Sequence, residues 1–158
     1  MRPVIGLTAY TEPAQWAAWH TDATLLHTWY PEAVTRSGGI PVLLPPQEDA
    51  AGQLVARIDG LILTGGPDIS ATMYGQEPHP QNDTPRHLRD EFEVSIYRYA
   101  REAAVPILGI CRGLQVMAVA TGWGGALGFF LPFLWIGTGN GLVLPNSNAG
   151  MLSVRPQL

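Results

Sequence analysis

Along the first 120 positions, short apolar runs alternate with segments of helical period. Pro3 to Ala9 is apolar with Val4 and Ile5 and predicts a strand; Thr11 to Trp19 reads as a loop. Asp22 can cap a helix that carries Leu25, Leu26, Trp29, Ala33 and Val34 on one face. Pro31 either kinks that helix or marks its true start, and Gly38-Gly39 ends it. Ile40 to Leu44 predicts a second strand closed by Pro45-Pro46, and Gln47 to Arg57 a short helix. A third strand, Asp59 to Thr64, runs straight into Gly65-Gly66-Pro67-Asp68. Residues 69–88 lack periodicity and contain Pro78, Pro80 and Pro85, as a surface loop does. Arg89 to Ala104 predicts a helix, with Phe92, Ile96, Tyr99 and Ala103 on one stripe. Asp90, Glu91 and Glu93 lie in its first turns, where the helix dipole favours them. Val105 to Ile110 is a fourth strand and Arg112 to Ala120 a further helix.

Strand and helix in alternation imply an α/β fold: a three-layer parallel sheet with helices on both faces. Ligands bind such sheets beyond the carboxyl ends of the strands. Two strand ends here are glycine-rich, one after Thr64 and one around Cys111.

Charge alters this picture after the last predicted helix begins. From Gly113 to Val154 no residue is Asp, Glu, Lys, Arg or His. Gly113 to Gly137 is long enough to span a bilayer. Six glycines (Gly113, Gly122, Gly124, Gly125, Gly128 and Gly137) and Pro132 along it, with no arginine cluster on its C-terminal side, argue against a span. The chain therefore divides into residues 1–120, one α/β unit, and an atypical apolar tail, 121–158. Charged residues make up 14% of the 158, against about 25% in ordinary soluble domains. The net charge is −4 and every basic residue is Arg, with no basic stripe, so a nucleic-acid partner is not expected. A single Cys forbids an internal disulfide, and the N-terminus lacks a secretory apolar run; a cytoplasmic location is expected.

The chemistry concentrates in Gly109-Ile110-Cys111-Arg112-Gly113. A G-x-C-x-G sequence between a strand and a helix is the thiol counterpart of the G-x-S-x-G elbow, where a sharp turn exposes the nucleophile. The flanking glycines allow close backbone approach, and the helix dipole favours the thiolate. The N–H of Arg112 then points to where an oxyanion forms, and Gly66, on the neighbouring strand end, is the candidate second donor. Gly65 shapes that turn, and Gly65 and Gln115 are candidate substrate-binding residues. A lone Cys is more often a buried structural thiol; two glycine-rich strand ends on one sheet edge favour the nucleophile.

These segments, with their order and spacing, resemble the γ-glutamyl-γ-aminobutyrate hydrolase family, a branch of the class I glutamine amidotransferase-like superfamily with a flavodoxin-like fold. The matching stretches are Arg2 to Thr8, Gly38 to Pro46, Asp59 to Ile69, Tyr74 to Pro78, Arg89 to Glu93 and Pro106 to Met117. The resemblance implies hydrolysis of a small γ-glutamyl amide through a thioester, by a Cys–His–Glu triad with no metal and no cofactor. It stops near residue 120. Ala118 stands where the family has Asn, and Thr121-Gly122-Trp123-Gly124-Gly125 keeps part of the following turn. The family's catalytic His and Glu come later, in a His-Pro-Glu motif.

His20, His27, His79 and His87 all precede Cys111, and neither a His nor an acidic residue follows it. A triad in family order cannot be completed within these residues, so the chain is expected to be truncated or out of frame after residue 120 and inactive alone. His79, Asp83, His87 and Asp90 match no tight metal-ligand spacing. Two other readings stay open: a non-catalytic γ-glutamyl-binding domain, and a glutaminase subunit feeding ammonia to a synthase. Tyr74 to Pro78 and Arg89-Asp90 favour the stand-alone hydrolase. An incomplete parallel sheet leaves an unpaired edge, so a homo-oligomer or aggregate is expected.

Overall fold

The computed structural model describes residues 1–78, 80 and 83–122. The apolar tail beyond Gly122, with that part of the Gly113–Gly137 stretch, and His79 lie outside the described residues. The elements are β1 (Val4–Thr8), β2 (Tyr10–Trp16), β3 (Trp19–Leu25), α1 (Trp29–Arg36), β4 (Ile40–Leu44), α2 (Ala51–Val55), β5 (Gly60–Leu63), α3 (His87–Glu102), β6 (Ile107–Gly109) and α4 (Arg112–Ala120). A 3-10 turn, Ala71–Tyr74, interrupts the long loop before α3.

β4, β1, β5 and β6 form one parallel sheet in that order. The chain passes from β1 out to β4 on one side, then crosses back over β1 to β5 on the other, which makes the β1/β5 boundary the switch point where such sheets open a crevice. Leu44, Leu61 and Leu63 meet Val55, Phe92, Ile96 and Val116 on one face, beneath α2, α3 and α4. On the other face α1 packs beside β4 and β1. Val34 of that helix lies close to Gly39 together with Ile5 of β1. The fold is therefore the α/β, flavodoxin-like arrangement of a parallel sheet between helical layers. No helix among the described residues is long and apolar enough to cross a membrane.

The alternation of strand and helix is correct from β4 onward, and the boundaries shift for local reasons. Pro31 falls in the first turn of α1, where the missing N–H has no partner to lose. The C-terminal glycines of that helix work as expected: Gly38 takes φ +87°, and the N–H of Gly39 closes on the Val34 carbonyl at 3.0 Å. The predicted helix at 47–57 contracts to α2, and α3 begins two residues earlier than predicted.

One region corrects the sequence reading outright. Thr11 to Trp19 is not a loop and Asp22 caps no helix. Both belong to an antiparallel hairpin of β2 and β3, with Trp16 opposite Trp19 and Pro13 opposite Asp22. Thr11, Thr21 and Thr24 suit the pleated backbone, while Leu25 and Leu26 mimic a helical stripe. The tip is Ala17-Ala18, with Ala17 at φ 49°, rather than the Asn-Gly or Asp-Gly pair that announces a tight hairpin.

Burial separates the two sides of the sheet. Ile96 is fully buried between α3 and the sheet, whereas Leu108 on β6 is 54% exposed. Ile96→Ala should lower unfolding free energy by about 2–5 kcal/mol. Leu108→Ala should stay within about 0.5 kcal/mol of the parent. Urea denaturation of the two variants reads both values, and equal losses would contradict the packing described.

Candidate active site

Cys111 is the residue at which β6 turns into α4, and its backbone has φ 52° and ψ −110°. A non-glycine residue there stores about 1–3 kcal/mol of strain, which persists only where the surroundings over-determine it. They do. The N–H of Ile110 is held by the Leu63 carbonyl, that of Gly113 by Ile110, and that of Leu114 by Cys111, each at 2.9 Å. Side chains at the flanking positions would break the turn. A Cβ on Gly109 would stand 2.7 Å from the Met117 sulfur and 3.0 Å from the Gly113 carbonyl, and one on Gly113 would overlap the Leu63 carbonyl. The two glycines let the helix start directly against the neighbouring strand.

The second glycine turn is fixed from below and beside. The Thr64 hydroxyl donates to the Thr8 carbonyl at 2.7 Å, and the Thr64 N–H donates to the Thr8 hydroxyl at 3.0 Å, tying the ends of β5 and β1. The Gly65 N–H donates to the Tyr30 hydroxyl at 3.0 Å. A Cβ on Gly65 would lie 3.6 Å from the Cys111 Cβ, so the two turns abut. Gly66 takes φ +143°, and any side chain there would overlap the Arg89 guanidinium. Among the described residues, neither Gly66 nor Arg112 spends its backbone N–H in a hydrogen bond.

Both turns are anchored to one buried ion cluster. The Arg112 side chain is buried and donates to Asp90 and Glu93. Arg89 donates through Nε to Glu93 at 2.9 Å and through Nη2 to the Gly65 carbonyl at 2.9 Å and the Thr64 hydroxyl at 3.1 Å. All four side chains are at most 4% exposed. Two cations and two carboxylates balance. Burial pushes Asp90 above its ordinary value, against the pull of Arg112 and of the Ser70 N–H. Burial likewise lowers the Arg89 guanidinium, with Glu93 opposing. Arg89 also lies over the Tyr10 ring, 4.5 Å from its centroid.

A cavity of about 470 Å³ opens above these turns, lined by Cys111, Gly65, Gly66, Pro67, Tyr10, Glu12, His27, Tyr30 and Arg86. His27 stacks on Trp29, with ring centroids 4.1 Å apart, and stands edge-on to Tyr10. At the rim Arg86 forks onto Glu12, Nε to Oε1 at 2.7 Å and Nη2 to Oε2 at 2.8 Å. This bond holds Glu12 below the usual carboxylate range.

The predicted site residues are thus distributed over two layers. Cys111, Gly65 and Gly66 line the cavity, and Arg112 is the first residue of α4, directly after the thiol. Gln115 bridges elsewhere: its Nε2 donates to Asp68 at 3.0 Å and its Oε1 accepts from the Ile69 N–H at 3.3 Å. His87 opens α3 on the surface, and His20 lies in β3. Asp90 is committed to Arg112 and Ser70, and Asp83 accepts from the Asp68 N–H at 3.3 Å. The sequence reading passed over Tyr10, Glu12, Tyr30 and Arg86 and gave His27 no site role. Tyr10 and Glu12 lie on the unrecognised hairpin and His27 just after it.

Comparisons with known proteins carry the family match past residue 120, where the sequence resemblance was expected to stop, into the first residues of the apolar tail. Residues 3–128 match the family described as Peptidase C26. The Mycobacterium tuberculosis protein named "Putative glutamine amidotransferase Rv2859c" is 45% identical over 124 residues, 77% of this chain and 40% of that protein. A Rickettsia prowazekii protein, "Putative glutamine amidotransferase-like protein RP404", is 42% identical over 91 residues, 57% of this chain and 32% of its own. The Escherichia coli "Gamma-glutamyl-gamma-aminobutyrate hydrolase PuuD" is 33% identical over 124 residues, 76% of this chain and 46% of the relative. The chain spans about a third to a half of the length of these relatives.

Two outcomes test the site's construction. Arg112→Met leaves Asp90 and Glu93 without their shared cation and should destabilise the chain by about 3–5 kcal/mol in denaturant titrations; a loss under about 1 kcal/mol would contradict the cluster. The Glu12–Arg86 pair is partly exposed and should contribute no more than about 1 kcal/mol near neutral pH. Because the folded value of Glu12 is depressed, its contribution is complete above the unfolded value and is lost as pH falls through the folded one. The stability difference between the parent and Glu12→Gln should therefore shrink to nothing in acid. Asp90, whose folded value is raised, gives the opposite slope but cancels in the difference. A gap that widens on acidification would contradict the pairing.

Proposed function

The chain belongs to the peptidase C26 family of glutamine amidotransferase-like proteins, and on that basis we propose that it serves hydrolysis of a γ-glutamyl amide with Cys111 as nucleophile. The observation that carries the reading is the strained Cys111 at a strand-to-helix turn, abutting the Gly65–Gly66 turn in one cavity. The thiolate attacks the amide carbonyl, and the backbone N–H groups of Gly66 and Arg112 receive the oxyanion. Collapse breaks the C–N bond, the departing amine taking a proton from a general acid, and leaves a γ-glutamyl thioester; water, giving its proton to a general base, then hydrolyses this to glutamate and the free thiol. Gly65 forms the wall against which the acyl chain lies. Gln115 acts on the substrate's surroundings by fixing the Asp68–Ile69 segment.

The E. coli hydrolase supports γ-glutamyl-γ-aminobutyrate as substrate. The names of the mycobacterial and rickettsial relatives favour a second reading, glutamine with release of ammonia. The two share the acyl half of the substrate and differ in the leaving amine. His27 is the histidine that lines the Cys111 cavity among the described residues. The acid–base pair that the resemblance places after Cys111 has no counterpart in these 158 residues. The nucleophile should therefore be present without turnover.

Iodoacetamide should alkylate Cys111 in the native chain, giving a single adduct in the absence of denaturant, while neither γ-glutamyl-γ-aminobutyrate nor glutamine is hydrolysed. Alkylation only after unfolding would mark a buried structural thiol. Turnover abolished by both Cys111→Ser and His27→Ala would overturn the expectation of inactivity and assign the base to His27.

A further inference from the structure

From the lining of the cavity we infer that Glu12 and Arg86 form the subsite for the α-amino-acid head group of the acyl donor, a zwitterion carrying a carboxylate and an ammonium on one carbon. The inference rests on the reading of Cys111 as the γ-glutamyl nucleophile and adds the residues that recognise its substrate. Glu12 and Arg86 are the acid and base pair in a lining otherwise made of aromatic rings, glycines, Pro67 and the thiol. They come from separate elements, β2 and the residue before α3, and meet across the mouth of the same cavity that holds Cys111. Their side chains are 24% and 35% exposed, so both are reachable from the cavity and neither is locked in the interior.

A γ-glutamyl group presents its amide at one end and, two methylenes away, a carboxylate and an ammonium. Reading that end requires one cation and one anion held side by side. The forked contact of Arg86 on Glu12 has the geometry an arginine uses for any carboxylate. Binding can then proceed by exchange: the substrate carboxylate replaces Glu12 on Arg86, and the substrate ammonium replaces Arg86 on Glu12. Each side-chain charge keeps an opposite partner throughout, which avoids the penalty of leaving a partly buried charge unpaired. Thr84 holds the remaining arm of Arg86 through its carbonyl at 2.7 Å, so the guanidinium stays in place as its partner changes. A site built this way rejects donors that lack either charge, because a protein charge is then stranded.

Alkylation of Cys111 by three reagents tests this in the whole chain. L-2-amino-4-oxo-5-chloropentanoate carries both head-group charges, 5-chloro-4-oxopentanoate lacks the ammonium, and iodoacetamide lacks the head group. In each case the thiolate sulfur bonds to the halomethyl carbon and halide leaves with the bonding pair, so no acid or base from the protein is required. Arg86→Gln should slow both chloroketones by about tenfold or more, the scale of one lost charge-assisted hydrogen bond, and leave iodoacetamide within about twofold. Glu12→Gln should slow only the amino chloroketone to that extent. Equal slowing of all three reagents would show that the pair merely holds the cavity's shape, and unchanged rates would show that the substrate does not reach it; either result overturns the subsite. A parent chain in which none of the reagents modifies Cys111 overturns the nucleophile reading itself, and the subsite with it.

Discussion

The cluster of Arg89, Asp90, Glu93 and Arg112 is the constraint on which the rest of the site depends. It joins three pieces of chain distant in sequence: the turn after β5, the start of α4 and the first turns of α3. The residue after the thiol is tied down through Arg112, and the glycine turn beside it through Arg89. Four buried charges carry a desolvation cost of several kcal/mol each, offset by their mutual pairing, with Arg89 Nη1 left as the buried side-chain atom without a hydrogen-bond partner among the described residues. Apolar side chains could fill the same space at less cost, but they would not grip the carbonyls of Thr64 and Gly65 or fix the height of the turn. The cluster makes geometric sense as the part that sets two loops against each other.

That anchoring explains how a strained residue persists. Cys111 occupies a backbone region that side chains avoid, and the strain is balanced by the helix start behind it, the Leu63 contact and the buried arm of Arg112. The same arrangement leaves the N–H groups of Gly66 and Arg112 without a hydrogen bond among the described residues. Strand order places the Gly65–Gly66 turn at the switch point of the sheet, so the fold supplies the crevice and the cluster supplies its precision.

Much of this was legible in the residues themselves. The parallel sheet follows from apolar runs alternating with helical stripes, and the elbow from Cys111 between Gly109 and Gly113. What escaped has identifiable causes. The β2–β3 hairpin closes on Ala17-Ala18, without the turn chemistry that marks such ribbons, and its leucines fall at helical spacing. With the hairpin missed, Tyr10, Glu12 and His27 could not be placed near Cys111. Asp90 and Glu93 read only as acids that the dipole favours in the first turns of a helix, because charge alone does not tell which side of a helix is buried. Only the pairing with Arg112, about twenty positions away, turns them inward. Gln115, three residues inside α4, looked free to bind substrate until its two bonds to Asp68 and Ile69 were seen.

The central claim is that the anchored turns present the Gly66 and Arg112 N–H groups to an acyl carbonyl held on Cys111. A crystal structure of the chain alkylated by L-2-amino-4-oxo-5-chloropentanoate tests it most directly, since the ketone oxygen of the adduct stands one bond beyond the position of a thioester carbonyl. The predicted result is a thioether at Cys111 with that oxygen turned to both N–H groups, at least one within about 3.2 Å, and the ion cluster unchanged beneath. An adduct whose oxygen points to solvent, with both N–H groups unengaged, would contradict the claim.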